Sequence, residues 1–252
     1  MRWVYFFLCL SLTTPVWAGA SLSSDATNDS VIFGDINSLD DETNLSAGCW
    51  VFQNDLLADY QGIDKQAAVG FWILIFDDVG AVSGRTDIYT IAIQETVAPN
   101  TTARVEGASS SGLASTWQWI AFTFDNLSTT GLRLYIDGSE DANSPASTAS
   151  IDDSGGGSTS TVNTMEGTLG GRDRNGNEAH CQAWQRTITA VEVQEARWKP
   201  GLVPLNLQLF APHFGNASPE PDLSGNGNTG TITGAAESFS GPPVMFGDGL
   251  PL

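Results

Sequence analysis

Trp117-Gln-Trp-Ile-Ala-Phe-Thr-Phe-Asp125 and, shortly after it, Gly131-Leu-Arg-Leu-Tyr-Ile-Asp-Gly138 decide the fold. In the first stretch Ile120, Phe122 and Phe124 recur at every second position, with Ala121 and Thr123 between them. In the second, Leu132, Leu134 and Ile136 alternate with Arg133, Tyr135 and Asp137. Successive side chains of a strand point to opposite faces of a sheet, so each stretch presents one apolar row to a core. Asp137-Gly138 ends the second stretch with a turn dipeptide, because glycine accepts the positive φ that tight hairpin turns require.

Outward from this pair, the same kind of segment repeats. Cys49 to Phe52, Val69 to Phe76, Ile88 to Ile93, Ala103 to Glu106 and His180 to Trp184 are short runs rich in β-branched and aromatic residues. Gly, Ser, Asn and Asp fill the intervals, the pattern of an all-β sandwich. Val69 to Phe76 contains no polar side chain, which predicts a central strand covered on both faces. One short helix is expected after residue 188. Thr189 and Glu192 form a capping box, in which the threonine hydroxyl accepts from the third helical amide and the glutamate reaches back to the cap, and Pro200 stops the run. Ser139 to Asn163, dominated by small polar residues and lacking aromatics, reads as a long surface loop.

The start of the chain reads as a leader. Met1-Arg2 is followed by the apolar stretch Trp3 to Leu12, a break at Pro15 and small residues at Ala18-Gly19-Ala20. That order predicts a signal peptide over residues 1–20 and a secreted or extracytoplasmic protein, in the periplasm or at the cell surface. A retained membrane anchor is the alternative. No later segment reaches the length of a transmembrane helix. Loss of Arg2 with the leader takes the formal net charge from −19 to −20. Such a charge argues against nucleic acid and anionic membranes as partners. Of the three cysteines, Cys9 lies in the leader. Cys49 and Cys181 remain as an even pair in an exported chain and are expected to form a disulfide, with two buried free thiols as the alternative. Closing so long a loop is worth about 4–5 kcal/mol in the chain-entropy model.

The hairpin resembles the laminin G-like branch of the concanavalin A-like lectin and glucanase jelly rolls, where a Trp, an IAFTFD-like strand and an LRLYIDG-like strand sit at this spacing. Trp184, Arg186, Ile188, Thr189, Glu192 and Val193 match the end of such domains. Asp222-Leu-Ser-Gly-Asn-Gly-Asn-Thr-Gly-Thr-Ile-Thr-Gly234 is similar to the DxSGNGNxGT segment that usually opens them, preceded by a strand like Leu205 to Phe210. The resemblance implies a two-sheet antiparallel jelly-roll sandwich over residues 21–252, a single domain. Because the opening segment here follows the helix, it also implies a circularly permuted order, with 205–235 completing the sandwich. The start of a second, truncated domain is the alternative.

The fold's relatives offer two chemistries. Jelly-roll glucanases place two carboxylates on one strand face, in E-x-D-x-x-E or E-x-D-x-E patterns, to flank a glycosidic bond. No such triplet occurs here. Asp40-Asp41-Glu42 is a loop run, Asp77-Asp78 ends a strand, and Glu192 and Glu195 lie in the predicted helix. No nucleophile elbow, zinc spacing or phosphate loop is present either. Pentraxins, more distant relatives, carry calcium on a loop after an "LG" strand end and on residues leading into an earlier strand. The counterparts here are Asp173, Asn175 and Glu178, in the loop after Leu169-Gly, with Asp87 before Ile88. Oxygen donors on a flexible loop suit calcium. Arg172 and Arg174 oppose it, and a solvated Asn/Gly turn without metal is the alternative; Asp222 with Asn226 and Asn228 is a rival oxygen-rich loop. For sugar stacking, Trp119 is a candidate because it faces the opposite way from Ile120.

The reading that results is a secreted, non-catalytic binding or adhesion module for carbohydrate or a cell-surface protein, with calcium as its one candidate cofactor. A glycoside hydrolase on the same scaffold and a purely structural surface protein are the alternatives.

Overall fold

The computed structural model describes residues 21–25, 29–56, 60–66, 70–79, 83–96, 101–146, 151–157, 160–164, 175–214, 218–238 and 240–244. The predicted leader, residue 173 and the end of the chain lie outside these. In chain order the strands are β1 (Ser21–Asp25), β2 (Ser30–Ile32), β3 (Asn44–Gln53), β4 (Tyr60–Gln66), β5 (Phe71–Val79), β6 (Thr86–Gln94), β7 (Thr102–Glu106) and β8 (Trp117–Asp125). There follow β9 (Arg133–Ile136), β10 (Ser139–Glu140), β11 (Thr161–Thr164), β12 (Asn175–Trp184), helix α1 (Ala190–Trp198), β13 (Leu207–Ala211), β14 (Thr231–Thr233) and β15 (Ala236–Ser238). No helix among them is long and apolar enough to cross a membrane.

Two antiparallel sheets pack face to face. The eight-stranded sheet runs β10-β9-β8-β3-β12-β1-β15, with β13 also paired to β12. The seven-stranded sheet runs β14-β2-β11-β4-β5-β6-β7. This is the all-β sandwich that the strand pattern predicted, in the jelly-roll form that the resemblance implied. The two apolar rows of the hairpin pair with each other: Ile120 faces Ile136 and Phe122 faces Leu134. Their row, with Phe124, meets Trp72, Leu74 and Phe76 of β5 across the core, and the rings of Trp72 and Phe122 stand 5.9 Å apart. β5 is central, between β4 and β6, and buried on both faces over Trp72 to Phe76. The 205–235 segment supplies β13 to one sheet and β14 to the other.

The eight-stranded sheet has a second dry face. Trp50, Trp119 and Trp184 project away from the core into a cluster with Ile188, Val193, Ala196, Val203, Leu207 and Phe210. Helix α1 and the chain after it form the lid of this cluster. The helix begins as its sequence requires: Thr189 accepts from the Glu192 amide, and Glu192 returns a contact to the cap. Trp119 therefore does face the opposite way from Ile120, but it is fully buried and offers no stacking platform. Gly48 makes this packing possible, since a Cβ there would come within 2.9 Å of the Trp119 ring and 2.7 Å of Ala121.

The expected surface loop over Ser139 to Asn163 is corrected in its second half. Residues 151, 153, 154 and 155–157 are buried as a strap against the sandwich edge. Its amides are satisfied by specific acceptors: Ser154 donates to Glu42 O (2.7 Å) and Asp152 to Glu95 Oε2 (3.1 Å). Gly155, at φ +68°, lies so close that a Cβ would fall 2.0 Å from Gln94 O. Polar composition suggested solvent; the strap is buried because its backbone groups find partners in the protein.

β12 carries a bulge between Ala179 and Gln182. Its apex, His180, adopts φ +52° and is fully buried, with Phe210 and Phe214 rings 6.3 and 5.9 Å away. Burial, reinforced by nearby His213, lowers the His180 pKa to about 3.

Two outcomes are expected. Trp119→Ala should cost about 3–5 kcal/mol in urea unfolding. Because His180 is depressed in the folded state, its contribution is present above the ordinary histidine pKa near 6.5 and is lost as pH falls from there toward about 3. His180→Asn, which tolerates the left-handed backbone, should flatten the pH dependence of unfolding free energy across that window relative to the parent.

Candidate functional site

The lid over the tryptophan cluster ends at the start of α1, and there the outer face of the eight-stranded sheet opens. The row that alternates with the core row of the hairpin supplies the floor: Thr123 and Asp125 from β8, Arg133 and Tyr135 from β9. Thr123 sits directly opposite Arg133 in the ladder. Ser128 and Gly131 form one wall, and Thr187 to Ala190 the other. The cleft encloses about 260 Å³. That is small beside the roughly 300–1,000 Å³ of pockets for drug-sized ligands, and suits a single ring better than a buried chain.

Each wall is held by its own hydrogen bonds. Asp125 Oδ1 accepts from the Leu127 amide at 3.0 Å, closing the turn that leads to Ser128. Thr187 Oγ1 donates to Phe124 O at 2.6 Å, tying the second wall to β8. Arg133 Nη1 meets both carboxylate oxygens of Glu140, at 2.7 and 2.9 Å, across the turn at Asp137-Gly138. Tyr135 shares a hydrogen bond with Thr123, and burial pushes its phenol up. At the helix start, Arg186 grips Glu192 at 2.6 and 3.0 Å and holds that carboxyl down to about 2. Glu192 is thus a fixed, neutralised charge and no proton donor near neutral pH. At the lips stand Leu127, 87 % exposed beside Ser128, and Val191, 68 % exposed beside Ala190.

The lining combines one guanidinium, one carboxylate, one phenol and several hydroxyls. Such a mixture can donate to and accept from a polyhydroxylated ligand. Asp125 is the one carboxylate among the lining residues, whereas glycoside hydrolysis of the usual kind needs two.

Of the four residues expected to ligate calcium, Asp87, Asn175 and Glu178 are described. Asp173 lies outside the described residues. Asp87 starts β6 at φ +55°, and its carbonyl accepts from Gly112 at 2.8 Å. Asn175 is exposed and bonded to Asp55 (2.9 Å) and Asn54 (2.8 Å). Glu178 is fully buried, 3.0 Å from Cys181 Sγ and 3.5 Å from His213 Nε2. The rival Asp222 loop is turn chemistry: its carboxylate already accepts from the amides of Phe210, Ser224 and Asn228 and from the Ser224 hydroxyl. The Cys49–Cys181 disulfide is present, joining neighbouring strands β3 and β12.

Reading the sequence did not single out Asp125, Arg133 or Tyr135 as a site. The signal was in the hairpin itself, whose non-core row is polar and aromatic on two successive strands and runs beside the capping box.

No protein-family profile matches the chain, and no curated protein matches it in sequence. Its likenesses are structural. A provisionally assigned carbohydrate-binding protein from Bacteroides ovatus ATCC 8483 superposes with a TM-score of 0.64 at 16 % identity, over 91 % of this chain and 62 % of its own. The chain thus spans less than two thirds of that protein's length. The enzymatically active domain of bacteriophage CBA120 tailspike protein 2 gives 0.53 at 13 % identity, over 77 % and 29 %. The native heptameric SAP-like pentraxin from Limulus polyphemus gives 0.50 at 10 % identity, over 71 % and 82 %. At these identities the likenesses speak for the fold alone, the two-sheet jelly-roll sandwich described above.

Proposed function

We propose that this protein is a secreted, non-catalytic module of laminin G-like type that binds a saccharide in the cleft beside helix α1. One observation carries the reading: Asp125, Arg133 and Tyr135 converge, on rigid strands, at a cleft of one-ring size. Asp125 would accept from, and Arg133 donate to, adjacent hydroxyls, while Tyr135 forms the floor. Sites on strands hold such groups more precisely than sites on loops. A structural neighbour that bears a carbohydrate-binding description supports the ligand class, and the disulfide fits an exported protein.

The exposed Leu127 and Val191 favour a second reading, adhesion to a protein surface. A glycan array separates the two. On the first reading specific glycans are retained, and Arg133→Ala weakens the best of them by about tenfold or more, as for loss of a charged hydrogen bond. An array without binders, or binders indifferent to both Arg133→Ala and Asp125→Asn, refutes the cleft. Calcium at Asn175 and Glu178 would be a separate event, since neither residue lines the cleft. Chelation is therefore expected to leave glycan affinity in calorimetry unchanged.

A further inference from the structure

The bulge at His180 creates a cluster that the cleft does not use. Ahead of it Ala179 faces the outer tryptophan cluster, while Glu178, paired with the core residue Leu22, faces inward. Beyond it the parity is inverted, and Cys181 and Ala183 face inward. A residue inserted in one strand has this effect on all that follow. Glu178 and Cys181, three positions apart, therefore share a side, and Cys49 of β3 joins them. One donor atom from each of the three lies within 4.8 Å of the others, and all three residues are fully buried.

His213 borders the group on its Glu178 side, more than 4.8 Å from at least one of the sulfurs in the bridged form. Its Nε2 lies 3.5 Å from Glu178 Oε1, and Glu178 Oε1 lies 3.0 Å from Cys181 Sγ. Metal–donor lengths of about 2.0–2.3 Å at a tetrahedral centre place neighbouring donors about 3.3–3.8 Å apart, close to both separations. Sulfur and imidazole donors with one carboxylate are a zinc-type set and a poor calcium set. On its far side, Glu220 Oε1 accepts from the His213 backbone amide at 2.6 Å and lies 3.8 Å from Nδ1, so it positions the residue through its backbone. Thr164 Oγ1, 3.1 Å from Nε2, holds the place that a cation would take on that nitrogen.

We propose that, when the Cys49–Cys181 bridge is reduced, both sulfurs, Glu178 and His213 form a buried site for zinc or another thiophilic divalent cation, mutually exclusive with the disulfide. Exchange with a thiol reductant breaks the S–S bond, leaves two protein thiols and converts the reductant to its own disulfide. Cation binding then releases both thiol protons as two metal–sulfur bonds form. Exchange with an external disulfide re-forms the bridge, reduces that disulfide to two thiolates, which take protons from solvent, and expels the cation. In the bridged form each sulfur is spent on the other, so the site exists in one redox state only. The proposal is independent of the saccharide cleft.

The test uses the full chain, reduced under nitrogen with a phosphine and titrated with cobalt(II), then with zinc. The expected result is a thiolate-to-cobalt charge-transfer band saturating at one cobalt per chain and erased by zinc. The oxidised protein and Cys49→Ser should lack it. Glu178→Gln and His213→Asn should each weaken cobalt at least tenfold, and Glu220→Gln, a positioning change, about tenfold. Near-UV circular dichroism of the buried tryptophans follows the fold in parallel. Absence of the band in reduced, folded protein overturns the proposal, as does a band indifferent to both Glu178→Gln and His213→Asn. Should reduction itself abolish the tryptophan signal, cobalt or zinc must restore it, and failure to do so overturns the proposal equally.

Discussion

The eight-stranded sheet is apolar on both faces, and that constraint organises the rest of the molecule. One face closes on the seven-stranded sheet in the ordinary way. The other carries Trp50, Trp119 and Trp184, and large rings left in water would forfeit about 1.5–3 kcal/mol each or more. A sandwich has no third sheet to offer, so helix α1 and the chain up to Phe210 provide the cover. Arg197 adds to it by lying over Trp50 and Trp198, at 5.3 and 4.4 Å from the ring centroids. The cover is shorter than the sheet. Where it stops, the outer row of β8 and β9 changes from tryptophan to Thr123, Asp125 and Arg133, and a cleft is left at the junction. The candidate site is thus a by-product of how far the lid reaches.

Local features were legible in the sequence because local physics decides them. The inward rows of the hairpin follow from period-two burial, the helix start from the Thr189–Glu192 box, and the bridge from the two cysteines that remain once the expected leader is set aside. What was not legible depends on distant partners. The 151–157 strap has the composition of a solvated loop, and only the acceptors on Glu42 and Glu95 explain its burial. Asp125, Arg133 and Tyr135 read as the wet side of a hairpin until the helix wall stands beside them. Glu178 belongs by spacing to a loop-side calcium set with Asn175. Its pairing with Leu22 puts the carboxylate inside, and the bulge just after it brings Cys181 to the same side.

The acidity of the chain looks different once individual carboxylates are located. Glu42, Glu95, Asp153 and Asp222 accept the protein's own amides or side-chain amides. Asp35 and Asp40 flank the fully buried ammonium of Lys65 at 2.6 and 2.7 Å. Loops that lack an apolar anchor are fastened by these acceptors, a use of negative charge that depends on geometry rather than on net field. Part of the excess of acid over base is therefore structural.

One edge of β12 faces a single strand and the other is divided. β3 lines the first along its length, while the second is shared by β1, against residues 175–178, and β13, against residues 181–184. Those two strands come from opposite ends of the described chain. Until residues near 180 have been made, Ser21–Asp25 has no neighbour on that side, and the remaining half of the edge waits for Leu207–Ala211. Contacts of such sequence separation carry a large loop-closure cost before they yield any energy, and β-sandwiches rich in them fold on millisecond-to-second timescales. Emergence from the ribosome and closure of the sheet are thus separate events, and in the interval the first strand is an unpaired edge open to any other extended chain.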